Sequence, residues 1–183
     1  MDNILTDNID IKDGVGAHGF VIITDKDGNV LVKKSNMVVK KGREFVFGKF
    51  YGDSNFSKLR LKSIYFGDQQ AETTTDYTNI DKISDGNNIY KRDIEYITEG
   101  NSILTDSNKI RAEKLDLESG YGIKLVASGI KCDPSLTSNL SCLSVVYGDP
   151  NDSTDERLFS RIRFDIIPMV EGNELNLTYY IYF

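Results

Sequence analysis

Leu175-Asn176-Leu177-Thr178-Tyr179-Tyr180-Ile181-Tyr182-Phe183 is the stretch whose reading decides the fold class. Leu175, Leu177, Tyr179, Ile181 and Phe183 alternate with Asn176, Thr178, Tyr180 and Tyr182. A repeat of two residues is the side-chain period of a strand with one buried face. Terminal strands fray unless a sheet ties them down. The segment is therefore expected to be a sheet member that buries its five alternating apolar side chains. Just upstream, Ile162, Phe164 and Ile166 point one way while Arg161, Arg163 and Asp165 point the other. Pro168 then ends or bulges that strand, because it has no N–H for a ladder.

The same reading extends back along the chain. Phe20-Val21-Ile22-Ile23 and Val30-Leu31-Val32 flank Asp25-Lys26-Asp27-Gly28-Asn29. Asp-Gly and Gly-Asn between apolar runs signal a hairpin, since both residue types tolerate positive φ. Gly42 to Gly52 is the helix candidate: Phe45, Val46, Lys49 and Phe50 follow i, i+1, i+4, i+5 spacing, and Phe47 and Tyr51 are four apart. Leu59 to Phe66 returns to strand character. Residues 67–87 are polar and read as a long loop with one helical turn near Ile80. Tyr90, Ile94 and Tyr96 alternate with polar residues, as do Tyr121, Ile123, Leu125 and Ala127, while Lys109 to Leu117 is a weaker strand polar on both sides. Leu140 to Tyr147 is apolar on both faces and is expected mid-sheet or between layers. Many short strands with one helix predict a mainly β protein, an antiparallel β-sandwich with one short α-helix. The organisation expected is an extended N-terminal arm over residues 1–17 and a single sandwich domain over 18–183.

Composition bounds the function classes. The 183 residues suffice to bury a core without a staple. Lys and Arg number 22 against 28 Asp and Glu, a net charge of −6, which is the wrong sign for a generic nucleic-acid binder. One His cannot build a multi-histidine metal site, and two Cys cannot build a four-cysteine zinc site or a disulfide framework. No window reaches the roughly 18 consecutive apolar residues of a membrane span. The acidic, polar N-terminus lacks the pattern of a secretion signal, so folding in a cytoplasm is expected.

Chemistry-bearing patterns are scarce. No G-x-S-x-G elbow, phosphate loop, H-E-x-x-H or dinucleotide fingerprint occurs, and no cofactor is expected. His18 reads as a surface or strand-edge residue. Cys132 and Cys142 flank a six-residue loop and read as core thiols in a reducing compartment. Asp25-Lys26-Asp27-Gly28-Asn29 resembles part of a calcium loop, but its glycine falls at the fourth position and no Glu closes it. That stretch and Asp149–Glu156 read as solvated turns. Lys33, Lys34, Lys40, Lys41 and Arg43 form a basic run in an acidic chain, suited to a solvated surface or to an acidic partner.

Three blocks resemble small tail, baseplate and neck proteins of tailed bacteriophages. The first is Asp27-Gly28-Asn29-Val30-Leu31 with Asn36-Met37-Val38-Val39-Lys40-Lys41-Gly42-Arg43-Glu44-Phe45, similar to a hairpin entering a helix in such proteins. The second is Leu61 to Asp68 with the Thr- and Asp-rich loop to Ile80. The third is Glu156 to Phe164, Gly172 and the terminal strand, where Tyr179 and Tyr180 stand in place of a Trp. The resemblance implies a non-enzymatic structural component of the virion, assembled in the host cytoplasm. Its partners would be other virion proteins and further copies of itself in a symmetric ring or complex, with no sequence-specific nucleic-acid contact and no membrane. The candidate assembly contacts are Lys33, Lys34, Lys40, Lys41, Arg43, Tyr180, Tyr182 and Phe183, together with the arm and the 67–87 loop. The alternatives are a carbohydrate- or receptor-binding β-sandwich, a head-surface protein of the capsid, and a small hydrolase using paired carboxylates.

Overall fold

The computed structural model describes residues 17–68, 87–97, 108–117, 120–131 and 138–183. The expected helical turn near Ile80, Cys132, and nearly all of the arm and of the 67–87 loop lie outside these residues. The described elements are β1 (His18–Asp25), β2 (Val30–Met37), α1 (Lys40–Tyr51), α2 (Ser54–Ser57), β3 (Arg60–Asp68), β4 (Asn87–Tyr96), β5 (Ile110–Leu117), β6 (Gly120–Lys131), β7 (Ser138–Gly148), β8 (Arg157–Met169) and β9 (Glu174–Tyr182). The protein is mainly β, as the alternation predicts. The sandwich expectation is corrected: the strands form one hydrogen-bonded sheet in the order β2-β1-β9-β6-β5-β4-β3-β7-β8, curled until it nearly closes into a barrel. A second, four-residue helix, α2, joins the one expected.

The sheet is mixed. β4 pairs with β5 in parallel, and every other laddered pair is antiparallel. The outer strands β2 and β8 meet just beyond β2 through one antiparallel bridge, Val38 to Ser160. Nine strands arranged in a ring cannot alternate direction throughout, because the direction must match itself after one circuit. One parallel pair resolves the mismatch, and β4/β5 supplies it. The alternation in β9 is reproduced over most of its length: Leu175, Leu177, Tyr179 and Ile181 are buried, but Phe183 lies just past the strand and is exposed. β7 is buried along Leu140–Tyr147 on both faces and lies between β3 and β8, as its apolar residues on both faces predict. His18 is half-buried on β1, which has β2 on one side and β9 on the other, so it is not a strand-edge residue.

Side chains hold the seam where the ladder is incomplete. Tyr179 reaches from β9 beneath β1, where any side chain on Gly19 would collide with its ring. Its hydroxyl lies 2.8 Å from Ser160 Oγ of β8 and accepts from Asn36 Nδ2 of β2 at 3.3 Å. Lys34 Nζ of β2 donates to the Arg163 carbonyl of β8 at 2.7 Å. A second gap opens where the β6 register shifts between Ala127 and Ile130. There the buried Arg92 guanidinium of β4 donates to the carbonyls of Ser128 and Gly129, both at 2.9 Å. Tyr179→Phe keeps the ring and removes the hydroxyl link between Ser160 of β8 and Asn36 of β2, leaving the Lys34 bond. It is expected to lower unfolding free energy by about 1–3 kcal/mol, the cost of leaving buried Ser160 and half-buried Asn36 short of a partner. Urea denaturation checks this, and an unchanged midpoint would refute the role given to the phenol.

A candidate docking surface

α1 is poorly stabilised by its own sequence. Its N-cap, Val39, makes no side-chain capping bond, and no acidic residue lies in its first turn. Lys40, Lys41 and Arg43 instead crowd the end where the helix dipole disfavours cations. Glu44 relieves part of this by pairing with Lys41 at 2.9 Å. At the far end Gly52 adopts φ 73° and its N–H closes onto the carbonyls of Gly48 and Lys49.

Packing on one face fixes the helix. Gly42 brings its backbone against the Phe159 carbonyl of β8. Phe45 stacks on Tyr147 with ring centroids 4.6 Å apart and meets Phe159 edge-on at 6.1 Å. The Tyr147 hydroxyl donates to the Lys41 carbonyl at 3.2 Å. Gly48 makes room for the ring of Phe56 from α2, and Lys49 Nζ donates to the Ser57 carbonyl at 2.6 Å. The buried face is therefore Gly42, Phe45 and Gly48, two glycines around one aromatic ring.

The opposite face carries large aromatic side chains into solvent. Phe47, Phe50 and Tyr51 are 68, 95 and 80% exposed. Phe47 and Tyr51 stack with centroids 5.6 Å apart. Lys40 and Arg43 are exposed and continue the same stripe toward the helix start, at the i, i+3, i+4 spacing of one helical face. The surface is thus cationic at one end and aromatic at the other.

The structure brings only some of the expected contact residues together. Lys40, Lys41 and Arg43 share the first turn of α1. Lys33 and Lys34 lie on β2 with opposite orientations, and Lys34 is engaged in the seam. Tyr180 and Tyr182 lie on the outward face of β9, half-buried, with their rings stacked at 6.2 Å; Tyr182 pairs with His18, which pairs with Met37, so they stand toward the α1 end of the sheet but on another strand. Phe183 is partly exposed, and its N–H donates to the Tyr121 carbonyl at 3.0 Å. Sequence reasoning missed Phe47, Phe50 and Tyr51 as a surface. The signal for it was present in Gly42 and Gly48, which mark the side of the helix that lies close against its support.

A polar cluster on β3, β4 and the residue just before β8 is a further concentration of titratable groups. The Tyr65 hydroxyl donates to Glu156, Lys91 Nζ pairs with Glu156 at 2.6 Å and with Asp93 at 3.6 Å, and Ser63 Oγ donates to Asp93 at 2.8 Å. Burial and the Glu156 bond push the Tyr65 phenol up to about 12. Burial alone would lower the Lys91 ammonium, but its bond and charge pairing with Glu156 leave it raised. Lys62 adds bonds to the carbonyls of Asp152 and Asp155. The cluster clasps the β7–β8 loop onto β3 and β4.

The acidic turns use their carboxylates internally. Asp25 accepts from the N–H groups of Asp27 and Asn29 and from the Asn29 side chain, and these bonds, the Asn29 side chain first, lower its pKa. Asp149 accepts from the Asn151 N–H, Asp152 from Thr154, and Asp155 from Arg157. Among the described residues no group of three or more His, Cys, Asp or Glu is placed to hold a metal ion, and no helix is long and apolar enough to cross a membrane. Compared with protein-family models, curated proteins and solved structures, the chain matches none.

Proposed function

We propose that this chain is a non-enzymatic structural component of a tailed-bacteriophage particle and acts by protein–protein contact through α1. The observation that carries the proposal is the aromatic stripe Phe47, Phe50 and Tyr51, displayed on a helix whose other face is fixed to the sheet. Three large rings in water on one short helix serve no purpose in the fold. The three cations at its start oppose the helix dipole, so they do not serve the helix either. Local choices that conflict with stability mark functional surfaces. Aromatic residues and Arg are also the side chains that dominate contact energies. The phage setting rests on the resemblance of the three sequence blocks.

Two measurements test the reading. Antibody against this chain, used in immunogold microscopy of the purified particles, should label the tail, baseplate or neck. Label over the head moves the protein to the capsid, and unlabelled particles beside abundant free protein sink the virion assignment. Phe50→Asp in the phage genome should lower particle yield about tenfold or more, as expected for loss of a central contact of about 1.4 kcal/mol or greater. The melting curve of the isolated variant should not move, because Phe50 touches little of its own fold. Undiminished yield would sink α1 as the docking surface.

A further inference from the structure

We infer that the protein associates with itself head to tail, the α1 end of one copy seating on the opposite end of the next; this rests on the docking reading above. The chain path places two unlike surfaces at the two ends of the sheet. β2 leads from the β1–β2 turn to α1, about 26 Å away at roughly 3.3 Å per residue. β8 begins beside α1, where Val39 N–H donates to the Phe159 carbonyl at 3.1 Å, and ends at the β8–β9 turn. Asp25 pairs with Leu175, so the β1–β2 and β8–β9 turns stand together at the end away from α1.

That far end is apolar and acidic. Among the described residues, Val30, Leu31, Ile166 and Val170 are its exposed aliphatic side chains. Asp27, Asp165 and Glu171 are exposed with them. The exposed cations at these strand ends are Lys26, Lys33 and Lys131, the last paired with Glu174 at 3.7 Å, against the carboxylates of Asp25, Asp27, Asp165, Glu171 and Glu174. The α1 stripe offers the complement: aromatic rings beside Lys40 and Arg43. A parallel contact of α1 with α1 would set cations against cations, and an antiparallel one would set them against rings rather than carboxylates. Contact of α1 with the far end sets cations against carboxylates and rings against aliphatic side chains. Complementary charge of this kind fixes orientation and partner choice. Because the two surfaces differ and lie at opposite ends, the interface is heterologous, and repetition gives a ring or an open filament.

Sedimentation velocity of the full chain over a concentration series tests this with two surface variants. Phe50→Asp disables the α1 end. Val170→Lys disables the far end by placing a cation opposite Lys40 and Arg43. Both sites are exposed, and unchanged melting curves confirm that the variants fold. The wild-type chain should form species larger than its 20.6 kDa monomer, and added salt should dissolve them. Each variant alone should sediment as a monomer. An equimolar mixture should form a dimer and nothing larger, because one intact α1 end and one intact far end remain between the two. A mixture that stays monomeric, or a Phe50→Asp chain that still assembles, overturns the inference. A monomeric wild-type chain also overturns it, and if Phe50→Asp nonetheless lowers phage yield, α1 stands as a platform for a different protein.

Discussion

A chain lacking residues 175–183 does not fold. β9 lies between β1 and β6 and is laddered to both along its length. Deleting it removes four buried side chains, Leu175, Leu177, Tyr179 and Ile181. At about 1.5–3 kcal/mol for each, the loss is roughly 6–12 kcal/mol, comparable to the whole stability of a typical domain. The hydrogen-bond loss adds to this. β1 and β6 each lose a laddered neighbour, so two rows of formerly paired backbone groups open at once. Tyr179 also leaves the seam, so β2 loses the link to β8 that Asn36 made through it. Far-ultraviolet circular dichroism and a thermal melt check the expectation. A truncated chain with a cooperative transition near that of the full chain would show that β9 is an accessory strand, contrary to its place in the sheet.

The strand pattern was legible where burial imposes a period of two, but β8 breaks the expected alternation, with Arg161 buried and Ile166 exposed. β9 shows the period by clean alternation, while β7 carries apolar residues on both faces and is buried on both. Closure was not legible. It depends on which strand stands next to which, and the determinants are dispersed: Gly19 gives way to Tyr179 of the neighbouring β9, some 160 positions away in sequence, and Arg92 reaches two carbonyls some 36 positions away. Neither residue announces this role by its neighbours in the chain. The parallel β4/β5 pair is likewise a property of the whole circuit, and no segment read alone calls for it.

The docking surface was half legible. The basic run pointed to Lys40, Lys41 and Arg43, and they do share one helical turn. It also pointed to Lys34, whose ammonium is engaged across the seam. Charge in a sequence does not reveal whether a cation faces solvent or bridges two strands. Helical spacing put the aromatic residues on α1 without saying which of them face outward. Phe45 is buried and Phe47 is exposed, two positions apart, because the support under the helix is Phe159, Tyr147 and α2. Hydrophobicity alone gives the two phenylalanines the same expectation.

Gly42→Ala reverses the sign that helix propensity assigns to it. Replacing glycine by alanine inside a helix normally stabilises by about 0.5–1 kcal/mol, since the unfolded chain loses freedom. Here the new methyl group would fall far inside contact distance of the Phe159 carbonyl oxygen and of a Val38 methyl group. The oxygen is backbone and cannot rotate away. It also accepts the Val39 N–H that ties the start of α1 to β8, so relief of the clash by moving the helix breaks that bond. Overpacking of about 1–3 kcal/mol and a lost bond of about 1 kcal/mol give a net destabilisation of roughly 2–4 kcal/mol. Gly52→Ala is the control. Gly52 has a left-handed backbone but nothing within 4 Å of the added group, so it carries only the conformational strain, about 1 kcal/mol. Chemical denaturation of the two variants should therefore rank Gly42→Ala well below Gly52→Ala. The opposite order would mean that α1 is loosely attached and free to shift. The same comparison bears on docking: Phe50→Asp should remove association at unchanged stability, whereas Gly42→Ala should lower both, because the aromatic stripe binds only while its helix is held against β8.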